Sequence, residues 1–173
     1  MTTIVQKEDP ILRQTAQAVS LIDIGSSAIQ KLLTKMSRTL ASQDDGVALA
    51  APQIGESKRI FIISGRMLNQ KAEPTESKTV NQPADLIFIN PKLIKSSRQK
   101  VELEEGCLSV RWLYGLTKRS SKATVEAYDA NGRKFIRHGT GIMAQIFQHE
   151  IDHLNGILFT DHATAIKEIK PEK

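Results

Sequence analysis

Five residues near the end of the chain, His149-Glu-Ile-Asp-His153, have the types and the spacing of a metal site on a helix. Histidines at positions i and i+4 lie one turn apart on the same helical face and can bind one cation. Glu150 stands beside them, where its carboxylate can act as a general base toward a water on that cation. Two surface histidines on a charged helix would give the same pattern, so this motif alone leaves both interpretations open.

A third ligand is needed, because a catalytic site of this type takes three protein ligands and leaves one position for water. Downstream of His153, the remaining candidates are Asp161, His162 and Glu168. Upstream, the single cysteine, Cys107, lies in Glu104-Glu-Gly-Cys-Leu-Ser109, and its thiolate fits the missing place. A lone cysteine in an apolar segment is more commonly an inert small side chain, which is the alternative here.

The histidines need a helix to hold them, and residues 140–154 have a helical pattern with Gly156 placed as its C-terminal stop. Ile142 and Ile146 continue the face of His149, so the metal-binding face is also predicted to be the buried face. An earlier amphipathic helix is indicated between Ile29 and Leu40, with Ser26 or Ser27 as its N-cap. A short amphipathic helix is expected at residues 162–169.

Strands are predicted at residues 59–64, 86–90 and 123–128, with residues 101–110 extended. Pro91 is expected to stop the second of these strands. Asp129-Ala-Asn-Gly132 has the residues of a turn, and residues 133–137 should return as the other arm of a hairpin. The polar residues 65–85 are interpreted as a long surface loop.

Strands clustered before a late helix favour an α+β fold rather than an alternating α/β fold. We therefore expect mixed or antiparallel sheets packed around the helix that carries the histidines, with an N-terminal helix and a short C-terminal helix. The length of 173 residues suits a single domain over residues 1–173.

Composition limits the class of protein. One cysteine cannot form an intramolecular disulfide, so the fold does not depend on an oxidising compartment. The N-terminus lacks an apolar signal core and no apolar stretch approaches ~20 residues, so a cytoplasmic protein without a membrane segment is expected.

The net charge of +5 is interpreted as a surplus that favours solubility. Attraction to an anionic partner such as ribosomal RNA is the alternative, and no basic run is long enough to indicate DNA binding. The densest local charge, at Lys118, Arg119 and Lys122, is predicted to be a solvated strand edge.

Three segments resemble the three signature motifs of peptide deformylases. Gly46-Val-Ala-Leu-Ala-Ala-Pro-Gln53 is similar to the glycine-rich first motif, and Glu105-Gly-Cys-Leu-Ser109 is identical to the second. Gln148-His-Glu-Ile-Asp-His-Leu-Asn-Gly156 resembles the third. The order and the spacing agree, and the resemblance extends over nearly the whole chain, so the three motifs together are far more specific than any one.

The resemblance implies a metal-dependent hydrolase that removes the N-formyl group from the N-terminal methionine of newly synthesised proteins and releases formate. It implies that Cys107, His149 and His153 bind the metal and that Glu150 is the catalytic acid and base. Fe²⁺ is implied in many members, with Zn²⁺, Ni²⁺ or Co²⁺ able to occupy the site, whereas ligand type alone suits Zn²⁺. The implied partners are N-formyl-methionyl nascent polypeptides and, near its exit tunnel, the ribosome.

The resemblance also implies that the Gln53 side chain and the Leu108 backbone N–H stabilise the oxyanion of the reaction. The substrate backbone would be added as a strand between two segments of the protein, and the methionine side chain would enter an apolar pocket. The residues expected to bind substrate are Gly46, Val47, Ala48, Gly106, Ile142 and Ile146.

Two positions depart from the family's pattern. Ala48 stands where the first motif usually has a second glycine. A positive φ there would cost about 1–2 kcal/mol, and otherwise the methyl group would narrow the substrate groove. Many members have proline where this chain has Arg111, and the Trp112 and Tyr114 that follow would either line the groove entrance or cover the core.

Asp152 is predicted to pair with Arg119, because a buried carboxylate needs a partner.

Two other functions are compatible with parts of this pattern. A peptidase that uses the HExxH motif would take its third ligand downstream and leave Cys107 without a role. A non-catalytic metal-binding protein on a deformylase scaffold would typically have lost the base or the oxyanion glutamine, whereas Glu150 and Gln53 are both present.

Overall fold

The computed structural model describes residues 3–69 and 84–170. The predicted surface loop at residues 65–85 lies mostly outside these ranges, and its described beginning, Gly65–Asn69, is a 3-10 helix. None of the described helices is long and apolar enough to cross a membrane.

Two α-helices and eight strands make up the described fold. The helices are α1 (Ser27–Ala41) and α2 (Ile142–Leu154). The strands are β1 (Ala48–Ala50), β2 (Ile60–Ile63), β3 (Leu86–Ser96), β4 (Lys100–Gly106), β5 (Leu113–Ser120), β6 (Lys122–Tyr128), β7 (Lys134–Thr140) and β8 (Thr164–Glu168).

The strands form a five-stranded sheet in the order β1-β2-β3-β6-β7 and a three-stranded sheet in the order β4-β5-β8. Neighbouring strands in both sheets are antiparallel. The predicted α+β class is therefore confirmed, and so is the hairpin of β6 and β7, whose turn places Gly132 at a φ of 77°.

Helix α1 begins at the cap that the sequence indicates. The Ser26 hydroxyl accepts a hydrogen bond from the Ile29 N–H at 3.3 Å, so Ser26 rather than Ser27 is the N-cap. The buried stripe of α1 packs with apolar residues of β1 and β2. These contacts hold the segment before β1, which forms one wall of the site described below.

Helix α2 contacts strands of both sheets. Its buried face, which includes Phe147 and Ile151, packs against Phe61 and Phe88 of the five-stranded sheet. Gly139 allows β7 to approach the first turn of α2, because a Cβ at residue 139 would lie 2.8 Å from the Phe147 ring. Apolar packing therefore fixes the position of α2 without any contribution from its polar residues.

The predicted end of the second strand is wrong. Strand β3 continues through Pro91 as far as Ser96. Asn90 has a φ of 51° and the pairing with β6 shifts register between Ile89 and Lys92. Pro91 therefore lies in an irregularity, where its missing N–H removes no ladder hydrogen bond.

The predicted C-terminal helix is also wrong, because residues 164–168 form strand β8 along β5. A helix of so few residues makes few internal hydrogen bonds and is unstable by itself. The edge of β5 instead supplies partners, with Tyr114 opposite Lys167 and Leu113 opposite Glu168.

Candidate metal centre

The structure brings Cys107, which follows β4, together with His149 and His153 of α2. One potential ligand atom from each residue lies within 4.8 Å of the other two. The Cys107 Sγ lies 3.1 Å from the His153 Nε2, and the two imidazole centroids are 4.9 Å apart. Metal–ligand bonds of roughly 2.0–2.3 Å require ligand atoms about this close to one another, so a sulfur and two ring nitrogens here fit a single divalent cation.

Local structure explains how each ligand is presented. The helical spacing of α2 places His149 and His153 on one face, as the sequence predicts. Cys107 follows β4 directly and begins a tight turn in which the Val110 N–H donates to the Cys107 carbonyl at 3.1 Å. The Ser109 N–H lies 3.4 Å from the Cys107 sulfur, so the turn also directs a donor at the side chain.

The imidazoles favour the thiolate form of Cys107. Burial raises the pKa of the Cys107 thiol, but the charge of His153 and hydrogen bonds with both histidines outweigh burial and lower it to about 5. The thiolate is the form that binds metals. This electrostatic setting distinguishes Cys107 from an inert buried cysteine.

Glu150 lies beside the ligands and is only 4% exposed. Among the described residues, no group makes a hydrogen bond to its Oε2. Burial raises the pKa of Glu150 to about 7, against the opposing pull of His149 and His153. A buried carboxylate oxygen without a protein partner is costly, and a pKa near neutrality suits a group that both accepts and donates a proton.

A buried ion-pair network supports the site from behind. The Nδ1 of His149 lies 3.1 Å from Oε2 of Glu105. Arg119 donates to both Glu105 oxygens, at 2.6 and 2.9 Å, and its Nη1 donates to Asp152 at 2.6 Å. The predicted pair of Asp152 and Arg119 is therefore confirmed. The prediction that Arg119 is solvated is wrong, because it is 6% exposed and held by two carboxylates.

Sequence reasoning missed Glu105 as a functional residue. Burial alone would raise the pKa of Glu105, but hydrogen bonds with Arg119 and His149 hold it well below its usual range. The ionised carboxylate accepts the Nδ1–H of His149 and leaves Nε2 free to bind a cation. The available signal was its position next to Gly106 and two residues before Cys107.

The Gln53 side chain is buried and oriented by three groups. Its Oε1 accepts a hydrogen bond from the Ala50 N–H at 2.8 Å, which leaves the amide N–H groups directed toward the site. Its Nε2 lies 3.2 Å from the Ser109 Oγ and 3.5 Å from the Cys107 sulfur. Ser109, which sequence reasoning also missed, thus helps to position the Gln53 amide beside the metal ligands.

A cavity of about 260 Å³ opens onto these residues and is lined from both sheets. Val47 and Ala48 form part of one wall and Gly106 and Leu108 part of another. Strand β1 ends the five-stranded sheet and β4 ends the three-stranded sheet. Within the described part of the chain, each of these edges has backbone groups that no neighbouring strand pairs, so an extended peptide between them can bind both sheets.

The apolar end of the cavity is formed by α2. Ile142 and Ile146 both line it, but Ile146 is buried whereas Ile142 is 54% exposed. The prediction that this face of α2 is buried therefore fails at Ile142, which lies in the first turn of the helix. Gly46 is not among the lining residues, and a Cβ there would lie 2.9 Å from Leu40 and from Gln43.

The structure shows how the two departures from the family's sequence pattern are accommodated. Ala48 is an extended residue of β1 opposite Ile63 and has no positive φ, so the strain interpretation is wrong and its methyl group occupies the groove wall. Trp112 and Tyr114 both line the cavity, which favours the groove-entrance interpretation.

Comparisons with known proteins agree with the geometry of the site. A sequence model of the polypeptide deformylase family matches residues 1–169. Peptide deformylase 2 of Clostridium acetobutylicum is 39% identical over 158 residues, which cover 91% of each chain. A crystal structure of a peptide deformylase from Legionella pneumophila superimposes with a TM-score of 0.79 and 35% identity, covering 95% of this chain and 87% of that one. An actinonin-bound class I type b peptide deformylase from Acinetobacter baumannii superimposes with a TM-score of 0.80 and 29% identity, covering 95% of this chain and 99% of that one.

Proposed function

Because the chain belongs to the polypeptide deformylase family, we propose that Cys107, His149 and His153 form the metal centre at which it acts. The protein is an enzyme that removes the N-formyl group from nascent proteins, and peptide deformylases use a divalent metal. One observation carries the assignment of the site. A sulfur and two imidazoles converge beside Glu150, a buried carboxylate with an oxygen that no described residue pairs.

The three ligands would bind one divalent ion, and we propose Fe²⁺ as the native metal. Zn²⁺, Ni²⁺ and Co²⁺ also suit a set of one thiolate and two imidazoles. When bound, such an ion would polarise the formyl oxygen and lower the pKa of a coordinated water toward ~7. An iron-loaded site would be sensitive to oxygen, and the Cys107 thiolate would be the ligand at risk of oxidation.

Glu150 is assigned the proton transfers. Its carboxylate takes a proton as water attacks the formyl carbon, and holds that proton in a buried environment where a pKa of about 7 makes both forms accessible. It then gives the proton to the amine nitrogen as the C–N bond breaks. The products are formate and a protein with a free N-terminal methionine.

Gln53 and the Leu108 backbone N–H are assigned to the oxygen that becomes negative during attack. The Gln53 amide is fixed in advance by Ala50 and Ser109, so it need not reorganise when the charge develops. Leu108 lines the cavity next to Cys107, where its N–H can reach the same oxygen. Removing one donor of this kind typically costs about 10²–10³ in turnover.

The substrate is assigned to the space between β1 and β4. Its backbone would pair with Val47 and Ala48 on one side and with Gly106 on the other. The methionine side chain would lie against Ile146, with Ile142 at the exposed rim. A formyl carbon carries only hydrogen on its far side, so close walls around the ligands would admit formyl and reject acetyl groups.

The downstream ligand that an HExxH peptidase would need is not supplied by Asp161. Its carboxylate accepts from Arg13 at 2.6 Å and from the Leu158 N–H at 2.9 Å. Within the described ranges, the group of potential ligands that includes both histidines contains Cys107 and no downstream residue. These contacts favour the deformylase assignment of the ligands.

We further propose that the protein works in the cytoplasm as a single domain and meets its substrates near the ribosome. The substrate class supports this location, since formylated nascent chains emerge there. The net charge of +5 would favour approach to an RNA-rich surface. Co-sedimentation with ribosomes at low but not at high salt is the expected result.

The test is formate release from a formyl-Met peptide under anaerobic conditions, with iron or nickel supplied. The wild-type protein and the Glu102→Gln variant, which changes an exposed residue of β4, should release formate. Glu150→Gln should bind metal and release formate at least about 10²-fold more slowly. Full activity of Glu150→Gln would contradict the assignment.

A further inference from the structure

Trp112 has a φ of 52°, in the left-handed region that a bulky aromatic residue rarely adopts. Strain of this kind persists only where surrounding contacts impose it, and such positions are concentrated at functional sites. The Trp112 carbonyl accepts from the Ile169 N–H at 2.8 Å, and the Leu113 N–H donates to the Val110 carbonyl at 3.1 Å. The backbone on both sides of the indole is therefore held in place.

Arg111 fixes the indole from the other direction. Its guanidinium lies 5.0 Å from the centre of the Trp112 ring, within the range of a cation–π contact. The same guanidinium donates to both oxygens of Asp45, at 2.5 and 3.2 Å, and to the Gln43 Oε1 at 2.9 Å. The Arg111 side chain is thus bound at three points and cannot swing freely toward a ligand.

These contacts connect the two walls of the groove. Asp45 precedes β1, whereas Arg111 and Trp112 follow β4, and all three line the cavity that contains Cys107 and Glu150. On the proposed substrate path between β1 and β4, the peptide beyond the metal centre would lie against this part of the wall. The side chains that follow the formylated methionine are the ones that meet it.

The charges of Arg111 and Asp45 are balanced within this part of the wall. Asp45 neutralises Arg111, so the pair offers no net charge to an acidic or a basic side chain. The indole is the large apolar surface that remains, and it is half-buried rather than covered. An apolar side chain can bury area against it, whereas glycine cannot.

We propose that Trp112 is a specificity-determining residue that favours an apolar side chain at one of the two positions after the formylmethionine. Arg111 and Asp45 act as positioning residues that hold the indole in its strained conformation. This inference rests on the proposed function, because it assumes that the substrate lies between Val47–Ala48 and Gly106.

The test compares kcat/KM for three groups of formylated peptides with the metal-loaded enzyme. The first is formyl-Met-Gly-Gly, the second has Leu in place of either Gly, and the third has Glu in place of either Gly. Wild-type enzyme should prefer Leu to Gly about tenfold at one of the two positions, and should not prefer Glu. Trp112→Gly should reduce that preference to less than about twofold, and Trp112→Phe should retain most of it.

Thermal unfolding separates specificity from a structural role. Glycine adopts a positive φ without strain, and this gain opposes the loss of the indole's contacts, so Trp112→Gly should unfold within about 5 °C of wild type. The inference is overturned if Trp112→Gly keeps the wild-type preference for Leu. It is also overturned if this variant loses stability and all peptides slow by the same factor, or if Glu is preferred to Leu.

The same assay distinguishes failure of this inference from failure of the proposed function. Formate release from formyl-Met-Gly-Gly by the wild-type enzyme, with no effect of Trp112 on the preference, would overturn this inference alone. No formate release from any peptide by the metal-loaded wild-type enzyme would overturn both.

Discussion

The Oε2 of Glu105 lies 3.1 Å from the Nδ1 of His149, and this contact connects a metal-site imidazole to a buried ion-pair network. Arg119 lies at the centre of that network, with Glu105 on one side and Asp152 on the other. The network joins β4 and β5 of the three-stranded sheet to α2. The orientation of His149 is therefore set by residues that are not among the proposed metal ligands.

Replacing Glu105 with Gln should weaken metal binding. The variant loses the ionised acceptor of the His149 Nδ1–H, and loss of such a partner typically costs 10–100-fold in metal affinity. It also leaves the buried Arg119 with one carboxylate in place of two, so the free energy of unfolding should fall by about 3 kcal/mol. Competition with a chelator measures the first effect and urea denaturation the second.

The control for this variant is Glu102→Gln, which alters an exposed carboxylate on the same strand. It should change neither quantity by more than experimental error. Metal affinity of Glu105→Gln within about twofold of wild type would show that the contact with His149 does not position the ligand.

Replacing Gln53 with Leu should reduce kcat by about 10²–10³ while metal content stays at the wild-type level. The side chain is of similar size but has no N–H to offer the developing oxyanion. Ser109→Ala should have a smaller effect in the same direction, because it removes the hydroxyl that accepts from Gln53 at 3.2 Å but leaves the amide in place. A kcat for Gln53→Leu within threefold of wild type would remove Gln53 from the mechanism.

Gly106→Ala should raise KM. A Cβ at this position would lie 2.6 Å from the Tyr114 ring, which must then shift within the cavity wall. Gly25→Ala is the matched control, since a Cβ there has nothing within 4 Å. Steady-state kinetics with a formyl-Met peptide should show the change in the first variant only, and equal KM values would mean that Tyr114 moves without affecting the substrate.

The ion pair of Arg13 and Asp161 should give a pH-dependent contribution to stability. Burial raises the pKa of Asp161, but hydrogen bonds from Arg13 and from the Leu158 N–H outweigh it and lower the pKa below its ordinary value of 3.8. A carboxylate whose pKa is lowered by folding stabilises the fold above its unfolded-state pKa. That contribution disappears as the pH falls through the folded-state pKa.

Asp161→Asn should therefore lower the free energy of unfolding at pH 7 by less than about 1 kcal/mol, because both partners are more than a third exposed and screened by solvent. The difference from wild type should narrow as the pH falls below about 4. Urea denaturation of both proteins between pH 7 and pH 3 checks this, and a difference that grows toward low pH would have the wrong sign.

The parts of the site that the sequence predicts are those encoded locally or by charge pairing. Helical spacing places His149 and His153 on one face, and the need of a buried carboxylate for a partner predicts Asp152 with Arg119. Glu105 and Ser109 were missed because their contacts with His149 and Gln53 join residues that are 44 and 56 positions apart in sequence. No local pattern identifies such contacts.

The errors in the fold predicted from the sequence have the same origin. The C-terminal segment has an amphipathic pattern, but its structure is decided by the edge of β5, about 50 residues earlier in the chain. Pro91 fits within β3 because the sheet adopts an irregular register there, which depends on the partner strand β6. The positive φ of Trp112 depends likewise on contacts from distant segments.

X-ray absorption spectroscopy of the purified, anaerobically loaded protein, together with its metal content, tests the central claim most directly. We predict one divalent ion per chain with one sulfur and two imidazole nitrogens in its coordination shell. The sulfur signal should disappear in Cys107→Ser. A metal shell without sulfur in the wild-type protein, or an unchanged shell in Cys107→Ser, would contradict the account.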